Sequence, residues 1–315
     1  RLRVATRGSR LAKWQAERVA SLLGGDVEFV LIETTGDIDK TSDLHAIGGQ
    51  GVFVKEVQHA VLDGRADLAV HSAKDLPSET PDGLVIASVP ERADARDALV
   101  GARLDDIPTG GLVGTGSVRR RAQLAYARPD LMFTGLRGNI ETRLRKQRDE
   151  GMDAIVVALA ALERLALTGH VTEVLEPGVM LPQVAQGALA IECRADDDAT
   201  RARTGAIEDR AVRRAVDAER AYLRTLGGGC DLPIGALAVV DGDEIVLDAL
   251  LATPDGHSIV RTRVSGTDPD DVGETAAKHL LTQASIAPTP RPHPPPNEET
   301  NHGGLSTPVS PGETA

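Results

Sequence analysis

The chain has 315 residues, and at ordinary domain sizes this length predicts two or three compact units rather than one. Apolar residues make up 41% of it and aromatic residues only 2%, so its cores must be built mainly from Val, Leu, Ile and Ala. The formal net charge of −12 argues against long-range attraction to nucleic acid or to an anionic lipid surface, which would need the opposite sign.

Strand patterns alternate with helical patterns at the start of the chain. Strands are predicted at 2–5, 27–32 and 67–71, and helices over 9–23 and 52–62. This alternation is typical of βαβ units around a mostly parallel sheet. Ser9 can cap the first helix, and Val57 and Val61 fall on one face of the second.

A second series of the same kind runs from about residue 99 to residue 167. It contains strand patterns at 112–114, 131–134 and 153–158, with helices predicted after Ser117 and Asn139. These elements predict a second α/β unit. A further strand is predicted over 189–193, where the chain could return to the first unit, but the pattern leaves that crossing open.

The pattern changes again from Ile234 onward. Strands are predicted at 236–240, 245–251 and 259–264, and the Asp-Gly turns between them indicate antiparallel hairpins. A helix over 270–284 completes a small α+β unit. The segment 287–315 contains eight of the eighteen prolines and almost no large apolar residue, so it is predicted to be disordered.

Two segments place charged side chains where a strand ends. In residues 5–9 the chain passes through a glycine into a helix start, where Arg7 and Ser9 lie beside free N–H groups and could bind an anion. A capped helix with solvated arginines explains the same segment. Lys74 and Asp75 follow the strand at 67–71 and would project into a cleft. There a carboxylate could stabilise a developing cation, although a surface Lys–Asp pair explains these two residues equally well.

Positive charge is concentrated in one part of this acidic chain. From Arg119 to Arg148 there are nine Lys or Arg residues and two acidic ones, a local charge of +7. Part of this segment is explained as the solvated face of a helix. The rest lies at glycine-containing loop-to-helix junctions, where arginine can bind carboxylates through paired hydrogen bonds. The same groups would bind phosphate, so charge alone leaves the type of anion open.

A glycine-rich segment surrounds one of the two cysteines. Gly227, Gly228 and Gly229 free the backbone before Cys230 and leave its thiol unobstructed, which suits a reactive or covalently modified sulfur, although a single cysteine is structural by default. Cys193 ends an apolar strand and is predicted to lie in a core. Two cysteines make no disulfide framework, so we expect a reduced, cytoplasmic setting. No metal-binding spacing, export signal or membrane span is visible.

Six short motifs, taken in this order, resemble the porphobilinogen deaminase family over about residues 1 to 284. They are Ala5-Thr6-Arg7-Gly8-Ser9, His71-Ser72-Ala73-Lys74-Asp75, Gly114-Thr115-Gly116-Ser117-Val118-Arg119-Arg120, Leu136-Arg137-Gly138-Asn139, Gln186-Gly187-Ala188 and Gly229-Cys230. The resemblance implies an α/β protein of three domains, namely two lobes like those of periplasmic binding proteins and a small α+β domain with an antiparallel sheet. On this basis the domains are expected at 1–90 with 188–206, at 91–187 and at 207–286, followed by the tail 287–315.

The resemblance also implies a monomeric transferase that condenses porphobilinogen on a dipyrromethane cofactor, which a thioether joins to Cys230. Asp75 would be the catalytic carboxylate and would contact the cofactor. The other residues expected to hold cofactor carboxylates are Lys74, Thr115, Ser117, Arg119, Arg120 and Arg143. The residues expected to bind substrate are Arg7, Ser9, Arg137, Asn139, Arg164 and Gln186. The chain departs from the family pattern at Ala46, Gln50 and Gly116.

Two other functions are compatible with parts of the pattern. A noncatalytic two-lobed binding protein for a polycarboxylate would have a similar arginine-lined cleft. The visible export signal that such a protein would carry is missing, and the cysteine flanked by glycines argues against it. A nucleic-acid-binding protein would use the basic segment. It should then have stacking aromatic residues there, but only Tyr126 and Phe133 are present.

Overall fold

The computed structural model describes residues 1–34, 54–228 and 232–286. Cys230, the segment with Ala46 and Gln50, and the tail 287–315 lie outside the described residues, as does the beginning of the helix predicted over 52–62. The described strands are β1 (Leu2–Arg7), β2 (Val27–Ile32), β3 (Leu68–Ser72), β4 (Leu84–Ser88), β5 (Asp97–Gly101), β6 (Leu112–Gly114), β7 (Met132–Thr134), β8 (Ala154–Ala158), β9 (Glu173–Leu175), β10 (Leu189–Arg194), β11 (Ile234–Asp241), β12 (Glu244–Ala252) and β13 (Ile259–Gly266). The described helices are α1 (Arg10–Leu23), α2 (Lys55–Leu62), α3 (Val118–Ala127), α4 (Ile140–Asp149), α5 (Leu159–Arg164), α6 (Asp198–Gly205), α7 (Arg210–Thr225) and α8 (Pro269–Ile286).

The strands form two five-stranded sheets with the same plan. The first has the order β2-β1-β3-β10-β4 and the second the order β7-β6-β8-β5-β9. In each sheet four strands are parallel and one runs in the opposite direction, namely β10 in the first and β5 in the second. Each reversed strand is the first one that the chain forms after passing from one sheet to the other. The return of the chain to the first sheet at β10, which the sequence pattern leaves open, is therefore observed.

Alternation along the strands builds a core on both faces of the first sheet. Val4 packs with Ala16 and Val19 of α1 on one face, whereas its neighbour Ala5 packs with Val57 of α2 on the other. Successive strand residues point to opposite faces, so a strand covered on both sides must be apolar throughout. Cys193 of β10 is fully buried in the α1 side of this core, as its position in an apolar strand predicts.

The C-terminal part forms a separate three-stranded antiparallel sheet, β11-β12-β13, on which α7 and α8 pack. Its apolar core includes Tyr222, whose hydroxyl donates to the Leu250 carbonyl at 2.6 Å. The same core extends to Val89 and Ala185, which lie in the two chain segments that connect the larger sheets. This third unit is thus packed against the junction of the two lobes. Among the described residues, no helix is long and apolar enough to span a bilayer.

Short strands account for the main omissions of the sequence prediction. β4, β5 and β9 have no predicted counterpart, since runs of three to five residues carry little periodic signal. The other strands and the helices α1, α3, α4 and α8 are predicted within a few residues of where they occur. The helices α1, α3 and α4 matter most here, because the predicted site residues Ser9, Ser117 and Asn139 stand at their N-termini.

Candidate active site

One pocket lies where the two lobes and the C-terminal unit meet. It is partly enclosed and partly open to solvent. Each of the three parts contributes charged or polar side chains to its wall. The described lining residues are Ala73, Lys74, Asp75, Leu76, Ser117, Arg119, Gln183, Val184, Arg220, Leu223, Leu232 and Ile234. The pocket therefore combines predicted site residues from both lobes with residues that flank the cysteine segment.

Lys74 and Asp75 reach the pocket because β3 ends just before them. The strand is buried up to His71, and the chain then forms a single 3-10 turn over Ala73–Asp75. The Ala73 N–H donates to the Ala188 carbonyl at 3.0 Å, which fixes this turn to the returning chain. The Lys74 ammonium donates to Gln186 Oε1 at 3.2 Å. Both side chains are half-buried, so they face a partly dry space rather than open water.

Arg119 and Arg120 converge on a carboxylate that the sequence analysis does not identify. Arg119 donates to Asp97 Oδ2 at 2.8 Å, and Arg120 donates to Asp97 Oδ1 at 2.7 Å. Asp97 is fully buried at the start of β5 and also accepts from Gln186 Nε2 at 2.9 Å. Burial alone would raise the pKa of Asp97, but the charges of the two arginines outweigh it and hold that pKa below its ordinary range. The two predicted anion ligands are thus anchored by one internal counter-ion.

Replacing Asp97 with Asn should strongly destabilise the protein. The change leaves two buried guanidinium groups without their anion, and breaking a buried ion pair in this way costs about 3–5 kcal/mol. The free energy of unfolding from urea titration measures it. Asp248→Asn is the matched control, because its partner Arg263 is largely exposed and such a surface pair contributes less than about 1 kcal/mol. Equal losses in the two variants would contradict this role of Asp97.

Positive charge still exceeds negative charge around the pocket. Burial lowers the pKa of the Lys74 ammonium to about 8, with Arg120 acting in the same direction and Asp75 opposing it. Burial likewise lowers the pKa of the Arg143 guanidinium to about 10, again with Arg120 adding to the effect and Asp75 opposing it. Within the part of the chain that the structure describes, the four cations Lys74, Arg119, Arg120 and Arg143 thus lie near the two carboxylates of Asp75 and Asp97. Such an excess of partly desolvated cations favours an anionic ligand.

Three predicted ligands act as helix N-caps. The Ser9 hydroxyl accepts from the Ala12 N–H at the start of α1, and the Ser117 hydroxyl accepts from the Arg120 N–H at the start of α3. The Asn139 side chain accepts from the Thr142 N–H at 2.9 Å and begins α4. A further hydroxyl, that of buried Thr115, accepts from the Ser117 N–H at 3.2 Å. These oxygens fix the direction of the helix starts, whose remaining N–H groups are suited to anions.

Arg164 lies in a second pocket at the boundary of α1 and α5. This pocket is lined by Gly8, Arg10, Lys13, Trp14, Glu17, Arg164 and Leu165. Arg164 is 8% exposed, donates to the Gly187 carbonyl at 2.6 Å and has its Nε buried without a hydrogen-bond partner. Its guanidinium carbon is 5.6 Å from the centre of the Trp14 ring. Arg7 ends β1 next to this pocket, and Arg137 lies between β7 and α4; both side chains are half-buried.

The sequence-based prediction misses three charged residues of this region. The first is Asp97, and the second is Arg220 of the C-terminal unit. The third is buried Glu219 of α7, which pairs with Arg92 at 2.7 Å and accepts from the Ala185 and Ala238 N–H groups. Glu219 therefore joins the C-terminal unit to both chain segments that cross between the lobes. The sequence signal that could have identified Glu219 is its position as a charged residue within an otherwise apolar stripe of the helix.

These features define a class of protein before any comparison is made. Two α/β lobes are joined by two chain crossings, and a cation-lined pocket lies at their boundary, as in periplasmic-binding-protein-like folds with an added α+β domain. Solved binding-protein domains are among the structures to which this chain is similar, at low TM-scores. They include a substrate binding domain of a putative amino acid ABC transporter from Streptococcus pneumoniae (TM-score 0.41, 12% identity, 66% of this chain and 91% of that one). The BvgS VFT2 domain of Bordetella pertussis is a second (TM-score 0.39, 14% identity, with 65% of this chain and 85% of that one covered).

Sequence comparisons identify the family. Residues 2–202 match the profile of the porphobilinogen deaminase dipyromethane cofactor binding domain, and residues 213–282 match the porphobilinogen deaminase C-terminal domain. Among relatives named porphobilinogen deaminase, that of Oceanobacillus iheyensis is 46% identical, with 90% of this chain and 94% of that protein covered. The one from Acidothermus cellulolyticus is 47% identical over 89% and 88%. The chain belongs to the porphobilinogen deaminase family, as its six motifs predict.

Proposed function

We propose that the protein catalyses the porphobilinogen deaminase reaction. In this reaction four porphobilinogen molecules lose ammonia and are condensed stepwise on a covalently bound dipyrromethane, and water then releases hydroxymethylbilane. The observation that carries the proposal is the pocket itself, in which Lys74, Asp75 and Arg119 lie together with Leu232, a near neighbour of Cys230. Cationic groups, one carboxylate and the flank of a cysteine are the parts that this chemistry requires.

The described residues fit a dipyrromethane group. Each of its pyrrole rings carries acidic side chains, and the pocket has cations from both lobes and from the C-terminal unit. Burial lowers the pKa of Lys74 and of Arg143 and Asp75 opposes this only in part, which supports a role for these cations in holding acidic groups. Leu223, Leu232 and Ile234 supply an apolar wall for ring faces. When bound, the group supplies a nucleophilic pyrrole carbon and anchors the growing product.

Cys230 is the proposed point of attachment for this group. Its near neighbour Leu232 lines the pocket, and only one residue separates the two in the sequence. This closeness in the sequence supports Cys230 as the tether.

Asp75 is the proposed catalytic carboxylate. It is the only acid among the described lining residues, and it lies beside Lys74 at the end of β3. An ionised carboxylate can accept hydrogen bonds from pyrrole N–H groups and can stabilise the cation that forms when ammonia leaves the substrate. It can also hold the proton that is lost when the new carbon–carbon bond is complete.

The remaining side chains divide between the cofactor and the substrate in this proposal. Lys74, Arg119, Arg120, Arg143, Thr115 and Ser117 would hold cofactor carboxylates around the main pocket. The second pocket would receive the incoming porphobilinogen through Arg164, with Arg7 and Ser9 at its edge. Arg137, Asn139 and Gln186 would contact the substrate or the growing chain. Every added pyrrole brings two further carboxylates, which explains why positive charge is segregated here in an acidic protein.

The domain bounds, the oligomeric state, the location and the partners belong to the same proposal. We propose domains at 1–90 with 188–206, at 91–187 and at 207–286, followed by the tail 287–315. The protein is proposed to act as a monomer in the cytoplasm, without nucleic acid or membrane as a partner.

A noncatalytic two-lobed carboxylate-binding protein is the alternative, and turnover distinguishes the two. Incubation of the purified protein with porphobilinogen should release ammonia and hydroxymethylbilane; binding without either product would overturn the proposed reaction.

Carboxylate binding at Lys74 should weaken as the pH rises through about 8. The lysine binds a carboxylate only in its protonated form, and its lowered pKa means that this form is lost above that pH. Assembly of the cofactor on the apoprotein should therefore slow above pH 8. Intact mass recorded during assembly at a series of pH values measures this rate. Lys74→Arg is the control, because arginine keeps its charge and should move the decrease to higher pH. An unchanged pH profile in that variant would assign the decrease to another group.

A further inference from the structure

Arg220 is a buried cation without a directly paired carboxylate among the described residues. It lies on α7 and is 4% exposed, and its guanidinium donates to the Ser78 carbonyl at 3.1 Å. Among the described residues, none of the ion pairs within 4 Å includes it. Two other arginines of the same helix do have such partners: Arg213 pairs with Asp217 at 2.9 Å and Arg224 pairs with Asp270 at 2.6 Å.

An internal arginine of this kind is costly without an anion. Removing a cation from water carries a penalty of several kcal/mol unless a counter-ion or hydrogen bonds compensate. Burial lowers the pKa of Arg220 and Arg224 adds to that effect, whereas Glu192 and Asp217 oppose it without reversing it. The side chain is not enclosed in the core, however, because it forms part of the wall of the main pocket. The missing counter-ion can therefore come from a ligand in that pocket.

The position of Arg220 indicates which part of the ligand it meets. After α7 ends at Thr225 the chain runs through Gly227 and Gly228 to the cysteine segment, and Leu232, which follows that segment, lines the pocket. Leu223, one turn after Arg220, lines the same wall. Arg220 thus lies on the helix that precedes Cys230 in the sequence, whereas Lys74 and Arg119 come from the two lobes.

We propose that Arg220 holds a carboxylate of the dipyrromethane ring nearest to Cys230. The inference rests on the proposed function and extends it, because the C-terminal unit would then supply a cation as well as the covalent attachment. The hydrogen bond to Ser78 links this arginine to the loop that follows Asp75. Occupation of the site would accordingly fix the C-terminal unit against the first lobe.

The test compares cofactor assembly in Arg220→Met, Arg220→Lys and Arg224→Met. Each is made as apoprotein in cells that cannot produce porphobilinogen, then mixed with porphobilinogen and followed by intact mass. Loss of one charge-assisted hydrogen bond should slow assembly in Arg220→Met about tenfold to a hundredfold. Arg220→Lys keeps the charge and should recover much of the rate. Arg224→Met removes an arginine outside the pocket and should assemble at nearly the rate of the unaltered protein.

Each outcome supports or overturns a distinct claim. Assembly in Arg220→Met at the rate of the unaltered protein would overturn the role of Arg220 and leave the proposed function intact. An unaltered protein that never gains the adduct would overturn both. If Arg220→Met does not fold, a crystal structure of the loaded protein decides: the guanidinium should lie within about 3.2 Å of a carboxylate of the adduct. A separation above about 6 Å would overturn the proposal.

Discussion

Replacement of Cys230 by Ser is expected to abolish both cofactor attachment and turnover. A thioether forms through the thiolate, which is a far better nucleophile at neutral pH than a serine hydroxyl. Without the tether the cationic pocket retains its charges but has no anchored chain to extend. Intact mass should show the bare polypeptide, and hydroxymethylbilane formation should fall below detection.

The second cysteine provides the matched control for this experiment. Cys193 is fully buried in the core of the first sheet, and burial raises the pKa of its thiol to about 11. It should therefore be unreactive, and Cys193→Ala should carry the cofactor and remain active despite some loss of stability. Attachment that persists in Cys230→Ser but disappears in Cys193→Ala would contradict the assignment of the tether.

Replacement of Asp75 by Ala is expected to stop turnover while leaving the cofactor detectable. The carboxylate faces Lys74 and Arg143 across a partly desolvated pocket, where an ionic interaction is stronger than in water. Removing one such preorganised group from a developing charge typically slows a reaction about 100-fold to 1000-fold, and loss of a proton acceptor adds to this. Single-turnover measurement of ammonia release from porphobilinogen separates this step from cofactor attachment.

Two further variants define what Asp75 supplies. Asp75→Asn keeps a similar shape without the charge and should be nearly as slow as Asp75→Ala. Asp82→Ala removes an exposed carboxylate outside the pocket lining and should leave the rate unchanged. Ammonia release at close to the normal rate in Asp75→Asn would contradict the catalytic role of the carboxylate.

The local features of the fold follow from the sequence because short-range chemistry determines them. Ser9, Ser117 and Asn139 stand directly before helical patterns, and each caps the predicted helix. Lys74 and Asp75 follow a buried apolar strand, and they lie in the pocket as the strand end predicts. Caps and strand ends depend on residues a few positions apart, so one sequence is enough to locate them.

The partners of these residues could not be predicted in the same way. Arg119 and Arg120 are recognisable as a cationic pair on α3, but their partner Asp97 belongs to a distant segment of the sequence, the strand β5. Arg220 contacts Ser78, which is 142 residues away in the chain. Such contacts depend on how strands and domains pack, and a hydrophobic pattern contains no information about that for a polar residue. Charge counting alone therefore overestimates how many arginine donors remain for a ligand.

Intact mass of the purified, unaltered protein, followed by peptide mapping, tests the central claim most directly. The account predicts a mass greater than that of the polypeptide by one dipyrromethane, with the added mass on the peptide that contains Cys230. An active protein whose Cys230 thiol is unmodified would contradict it.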